Sequence, residues 1–153
     1  MVSLRSGANP LFLREDELRQ AMEMLFYAYR DFTAEPDAIL AKYGFGRAHH
    51  RAIYFIGRNP GISVTALLRI LKITKQSLSR VLGHLVREEF IVQKADPADR
   101  RRRRLYLTPR AEELERTLTE KQSGRIARAY REAGAEAVAG FRNVLRGIIN
   151  EDD

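Results

Sequence analysis

Residues 63–108 decide the fold, and they read SVTALLRILKITKQSLSRVLGHLVREEFIVQKADPADRRRRRLYLT. From Thr74 the apolar residues recur about every 3.6 positions, which predicts a helix. The apolar segment Phe90-Ile91-Val92 follows, and then a turn sequence that ends in five consecutive arginines before Leu105-Tyr106-Leu107. A helix, a strand and an arginine-tipped hairpin in this order predict a winged helix-turn-helix.

The predicted helix after Thr74 has one packing face and one open face. At about 100° per residue, one side is formed by the apolar residues Leu78, Val81, Leu82 and Leu85. The opposite side is formed by Gln76, Arg80, Gly83 and Arg87. Thr74 is placed as the N-cap, so free N–H groups and the positive end of the helix dipole point beyond it. A phosphate group would be stabilised at that end.

Positive charge is concentrated on the same segment. Residues 64–110 hold 12 lysines and arginines against 4 acidic residues, whereas the rest of the chain holds 15 against 16, within a net charge of +7. A basic surface confined in this way is typical of a protein that binds a polyanion, because neutralised phosphates release their counterions. Double-stranded DNA is therefore the expected partner.

Helical patterns surround the basic segment on both sides. Amphipathic periodicity predicts helices at about 13–33, 47–57, 64–71, 75–88 and 109–133, and a last one that ends near 150. Glu35-Pro36 is expected to separate the first two helices. The expected fold class is mainly α with a small β wing, in a single domain over residues 1–153. Its winged module, about 47–108, is bracketed by helices at about 13–33 and 109–150 whose extra apolar faces indicate dimerisation.

The composition argues against several classes of function. The chain has no cysteine, which excludes disulfides, thiolate metal sites and cysteine-based redox sensing. No segment approaches the roughly 20 apolar residues that span a bilayer, and no secretory signal is recognisable, so we expect a cytoplasmic protein with no membrane partner. The sequence also lacks glycine-rich phosphate loops, nucleophile elbows and zinc-protease motifs. We therefore expect neither an enzyme nor a cofactor.

Three motifs make the chain resemble the MarR-type winged-helix transcriptional regulators. They are Pro60-Gly61-Ile62-Ser63, the segment 73–81, and the wing sequence Asp96-Pro97-Ala98-Asp99-Arg100-Arg101 that runs without a gap into Leu107-Thr108. The resemblance implies a six-helix homodimer with a recognition helix in each of two successive major grooves and wings in the flanking minor grooves. It implies a repressor more often than an activator, commonly released by a small anionic or phenolic ligand. Family members usually carry glycine where Glu89 stands.

DNA contacts are expected on the open side of the recognition helix. The predicted base contacts are Gln76, Ser77 and Arg80. The predicted phosphate contacts are Thr74, Lys75 and Ser79. Arginine pairs with guanine and glutamine with adenine in the major groove, whereas phosphate contacts position the helix without reading sequence. The alternative for these residues is a solvated polar helix face.

The arginine run predicts contacts at the tip of the wing. Arg100, Arg101 and Arg102 are expected at the minor groove, with Arg101 leading, since a narrow minor groove attracts guanidinium groups. Asp99 is expected to orient an arginine of the wing or of the adjacent scaffold. At least two of the five arginines that end at Arg104 are expected to be solvated only.

The resemblance also places an effector pocket between the dimerisation helices and the winged module. Its predicted lining is Tyr27, His49, Arg51 and Tyr54, and the alternative for the two tyrosines is a core position with a polar tip. His49 and His50 are adjacent helical residues about 100° apart, so they cannot chelate one ion from one face. We therefore expect no metal site.

Two alternatives to a sequence-specific regulator stay open. A winged-helix module can coat DNA without sequence preference, or it can serve protein–protein interaction only. The ratio of affinities for an operator and for random duplex separates these functions, since true operators are typically preferred by about 10³–10⁷.

Overall fold

The computed structural model describes residues 10–151. Over this range the helices are α1 (Glu15–Ala41), α2 (Arg47–Arg58), α3 (Val64–Leu71), α4 (Lys75–Arg87), α5 (Pro109–Ala133) and α6 (Ala135–Ile148). The strands are β1 (Ile62–Ser63), β2 (Ile91–Ala95) and β3 (Arg103–Leu107), and one 3-10 turn at Leu11–Leu13 precedes α1. The predicted fold class, mainly α with six helices and a small β wing, is confirmed. No helix within residues 10–151 is long and apolar enough to cross a membrane.

The chain divides into two compact units, and the boundary falls between Glu35 and Pro36. The first unit consists mainly of the amino-terminal part of α1. Its large apolar side chains are exposed, and they include Leu18, Met22, Met24, Leu25, Phe26, Tyr27 and Tyr29. The helix is therefore apolar on more than one side while those sides face solvent in the single chain.

The first helix is longer than predicted, because Pro36 does not end it. α1 continues to Ala41, and Pro36 is fully buried together with Leu40 one turn later. A proline inside a helix removes one backbone hydrogen bond, and the burial of these two side chains offsets that cost. The helix ends in a Schellman turn, in which Phe45 N–H donates to Leu40 O at 3.1 Å and Gly44 adopts a φ of 74°.

The second unit is packed around α4. The four residues predicted for its packing face, Leu78, Val81, Leu82 and Leu85, are all buried. They share one core with buried residues of the neighbouring elements, namely Ile53, Ile56, Leu67, Phe90, Leu105, Ala111, Leu114 and Leu118. Because this core covers one side of α4 completely, its orientation on the domain is set by close packing.

The wing is a longer hairpin than predicted. The sheet is antiparallel in the order β1-β3-β2, and Ala95 pairs with Arg103 while Ile91 pairs with Leu107. The last two arginines of the run therefore belong to β3. Gly61 precedes β1 with a φ of 86°, and its N–H donates to Leu105 O at 2.8 Å. A Cβ at Gly61 would also lie 3.1 Å from the Tyr106 hydroxyl, so both the positive φ and the close contact favour glycine there.

Candidate nucleic-acid interface

The amino terminus of α4 is held by its own cap. Ser77 N–H donates to Thr74 Oγ1 at 3.0 Å, and Thr74 Oγ1 donates to Ser77 Oγ at 2.9 Å. The Thr74 hydroxyl is thus used twice inside the turn. The N–H groups of Lys75 and Gln76 have no carbonyl four residues earlier within the helix, and they lie at the positive end of its dipole. This end of α4 can hold an anion such as a DNA phosphate.

The side of α4 opposite the core is open. Lys75, Gln76, Ser79 and Arg80 are exposed, whereas Ser77 is half-buried within the cap. Gln76 and Arg80 are four residues apart and therefore point in the same direction. The structure brings these two predicted base contacts to one exposed surface in the first half of α4. The assignment of individual residues to bases and phosphates stays a prediction.

An ion pair that the sequence analysis missed holds the base of the wing. Asp96 is buried, with Oδ2 3.0 Å from Arg104 Nη2, while its Oδ1 accepts the Ala98 N–H at 2.8 Å. Arg104 Nη1 also donates to the Gly61 carbonyl at 3.1 Å. The hydrogen bond from Ala98 N–H lowers the pKa of Asp96, and the charge of Arg104 lowers it further. Arg104 is therefore part of the scaffold that joins the wing to β1.

The tip of the wing presents the other predicted residues together. Asp99 Oδ1 accepts the Arg101 N–H at 3.1 Å and lies 3.4 Å from Arg101 Nε. The Arg101 side chain is 93% exposed, so the ion pair is weak and leaves the guanidinium accessible. Arg100 and Arg102 are exposed as well. The minor-groove contacts and the orienting role of Asp99 stay predictions.

The carboxyl end of α4 is closed by a strained turn. Phe90 N–H donates to Leu85 O at 2.8 Å and Glu89 N–H donates to Val86 O at 3.0 Å, as in a Schellman motif. Glu89 has a φ of 63°, in the left-handed region that favours glycine. Thr108 Oγ1 donates to the Glu89 carbonyl at 2.8 Å and so joins this turn to the start of α5.

The structure brings His49 to a residue that the sequence analysis left out, His84 on α4. His49 Nε2 lies 3.0 Å from His84 Nδ1, and Gly46 N–H donates to His49 Nδ1 at 3.0 Å. The Phe45 ring stacks on His49 with centroids 4.9 Å apart. Burial lowers the pKa of His49, and the charge of His84 lowers it further. Sequence spacing carries no signal for a pair that is 35 residues apart.

The other predicted pocket residues are placed as follows. Arg51 is exposed, and the half-buried Tyr54 ring lies 5.1 Å from the Phe55 ring. Tyr27 belongs to the first unit, where the Arg30 guanidinium lies 4.8 Å from the centre of its ring. The pocket therefore stays a prediction. Within residues 10–151 there is no group of three or more His, Asp or Glu side chains that could hold a metal ion.

Comparisons with known proteins place this architecture in a family. The model of the MarR family matches residues 43–102. The HTH-type transcriptional regulator PetP of Rhodobacter capsulatus is 49% identical over 144 residues, which cover 94% of this chain and 87% of that protein.

Solved structures share the fold at lower identity. The crystal structure of MarR has a TM-score of 0.62 and 24% identity, and the match covers 86% of this chain and 93% of that chain. Streptococcus pneumoniae FabT in complex with DNA has a TM-score of 0.76 and 17% identity, with coverage of 86% and 94%. PcaV of Streptomyces coelicolor in complex with its natural ligand has a TM-score of 0.64 and 16% identity, with coverage of 95% and 99%. Because the relative at 49% identity spans nearly the whole chain and the winged module is intact, the protein belongs to the MarR family and is a DNA-binding transcriptional regulator.

Proposed function

We propose that the protein is a sequence-specific repressor that binds a pseudo-palindromic operator as a homodimer. α4 is the recognition helix, with Gln76, Ser77 and Arg80 at base edges. Thr74, Lys75 and Ser79 hold phosphates, with Thr74 acting through the turn that it caps. Arg100, Arg101 and Arg102 enter the minor groove. The observation that supports this proposal is the exposed Gln76 and Arg80 surface on a helix whose opposite side is fully buried.

The test is fluorescence-anisotropy binding to the DNA immediately upstream of the protein's own gene and to a scrambled duplex, over a salt series. We expect a strong preference for the upstream duplex. Arg80→Ala should cost about 1–3 kcal/mol on it and relax the preference at one base pair. Arg125→Ala, which removes the same charge outside the winged module, is the control. An equal loss on both duplexes would contradict base contact by Arg80, and equal wild-type binding to both would favour DNA coating.

Dimerisation is supported by the exposed apolar side chains of α1 and α6. Phe141, Val144 and Ile148 on α6 are 44%, 62% and 59% exposed, and α1 exposes the side chains named above. Large apolar side chains exposed along a helix often mark a protein–protein contact. We expect Leu25→Glu to give a monomer by light scattering, while Gln20→Glu on the same helix leaves the dimer intact. A monomeric wild type in dilute solution would refute the homodimer.

The repressor activity is proposed to respond to a small anionic or phenolic effector bound near Arg51 and Tyr54 of α2. The support is the fold shared with PcaV, whose structure was solved with its natural ligand. Aromatic carboxylates and phenols are titrated into the complex with the upstream duplex, where one of them should release the DNA. Arg51→Ala should weaken that release without changing the affinity of the ligand-free protein. Persistence of the complex with every compound would argue against an effector of this chemistry. A reporter gene placed under the control of the same upstream DNA tests whether the protein represses or activates transcription.

A further inference from the structure

Two hydrogen bonds in series join the start of α2 to α4. The Gly46 N–H can only donate, so His49 Nδ1 must accept and carries no hydrogen. In a neutral imidazole the hydrogen then lies on Nε2, which donates to His84 Nδ1 at 3.0 Å. His84 must accept at that nitrogen, so both hydrogen bonds exist only while both imidazoles are neutral.

An aromatic cluster surrounds this pair. Phe45 stacks on His49 with an interplanar angle of 12° and meets His84 edge-on, with centroids 5.1 Å apart. The fully buried Phe90 lies 5.0 Å from Phe45. Both imidazoles are half-buried, and burial lowers the pKa of His49. The pair and its cluster therefore tie α4 to the segment between α1 and α2 and to the start of β2.

The surrounding elements carry further charged and titratable groups. They include Asp37 on α1, Tyr43 in the following loop, Arg47 on α2, Arg80, Arg87 and Glu88 on α4, Glu89 after it, and Arg110 and Glu115 on α5. Asp37 pairs with Arg47 at 3.1 Å, and the Arg110 guanidinium lies over the Phe90 ring. Asp37 and Glu115 act on His50, where they oppose the lowering of its pKa by burial. The charge that acts on the pKa of His49 is that of His84.

We propose that His49 and His84 are positioning residues that hold α4 in its DNA-binding orientation while neutral and release it when either is protonated. The inference rests on the proposed role of α4 as the recognition helix. A proton on His84 Nδ1 would oppose the hydrogen on His49 Nε2, and a proton on His49 Nδ1 would oppose Gly46 N–H. Acidification therefore weakens operator binding, whereas added positive charge by itself would strengthen binding to DNA. The two effects have opposite signs.

The experiment measures binding at about pH 7.5 and about pH 5.0, at constant ionic strength. The lower value lies well below the ordinary histidine pKa because burial lowers the pKa of His49. The duplex is one that the protein itself selects from a random-sequence pool at the higher pH. We expect the wild-type Kd to rise by roughly three- to tenfold at the lower pH, as for the loss of one hydrogen bond. The double variant His49→Gln/His84→Gln has no titrating imidazole at either position, so it should lose this weakening. His50→Gln changes the third histidine of the chain and should retain it.

Constant or tighter wild-type binding at the lower pH would overturn the inference, and so would a double variant that still weakens. Selection of no duplex at all would count against the proposed function, and a second measurement without DNA then decides the inference. Nitrogen NMR of the imidazoles at the higher pH must place the His49 hydrogen on Nε2 and leave Nδ1 bare. The opposite tautomer would refute the hydrogen-bonded pair whatever the DNA result.

Discussion

Replacing Glu89 by glycine should stabilise the protein. Glu89 closes α4 with a φ of 63°. The left-handed conformation costs a residue with a Cβ about 1–2 kcal/mol of conformational free energy. Glycine relieves that strain but loses more backbone entropy on folding, which costs about 0.5–1 kcal/mol. The hydrogen bonds of the turn are made by backbone groups, so the substitution keeps them. The expected net gain is about 0.5–1 kcal/mol in the free energy of unfolding.

Urea unfolding followed by circular dichroism measures this gain, at one protein concentration because the stability of a dimer depends on concentration. Glu88→Gly is the matched control. It removes the same charge from the same turn, but Glu88 has a φ of −87°, so it should lose about 0.5–1 kcal/mol. If Glu89→Gly were no more stable than wild type, or if both variants changed equally, strain at Glu89 would not be the cause.

Two further substitutions probe the contacts around α4 and the wing. Thr108→Val removes the α5 cap and the hydrogen bond to the Glu89 carbonyl, so it should cost about 1–2 kcal/mol in urea unfolding. Thr117→Val on the exposed side of α5 should cost less than about 0.5 kcal/mol, and equal costs would contradict the capping role. Asp96→Asn removes the charge that pairs with Arg104, so trypsin should cleave the wing faster and DNA binding should weaken. Unchanged cleavage would refute the role of this ion pair in holding the wing. Because the folded-state pKa of Asp96 is lowered, its stabilisation is present above its ordinary pKa and is lost as pH falls through the lowered value, so wild type and variant should converge in acid.

The parts of the fold that were predictable carry their signals within one or two turns of chain. Thr74 and Thr108 are caps that precede helices, and the structure shows both accepting the N–H three residues later. The apolar periodicity of α4 likewise predicts its buried face correctly. The predicted end of the first helix at Pro36 was wrong, because proline is a local signal against a helix interior. The burial that stabilises Pro36 inside α1 depends on residues distant in sequence.

Pairs that join distant segments could not be predicted. In the sequence Asp96 belongs to the wing motif and Arg104 ends the arginine run, and neither pattern indicates that the two residues pair. Only the observed register, in which Lys94 pairs with Arg104, brings that arginine beside the buried carboxylate. The sequence predicts His49 only as a pocket residue, because its contact with His84 requires α2 and α4 to be packed together.

The two halves of α4 have different contacts. We call the amino-terminal half, which carries the proposed base contacts, the reading end, and the carboxyl-terminal half, which contacts the rest of the domain, the holding end. The cap and the exposed Gln76 and Arg80 lie in the first half, whereas His84 and the Glu89 turn lie in the second half and beyond. A substitution at the holding end should change the angle of α4, and it removes none of the arginine contacts proposed for the wing. Such variants should therefore lower the preference for the operator over scrambled duplex while the salt dependence of binding to the scrambled duplex stays the same. Loss of Arg101 should do the reverse, with a smaller salt slope on both duplexes and little change in their ratio.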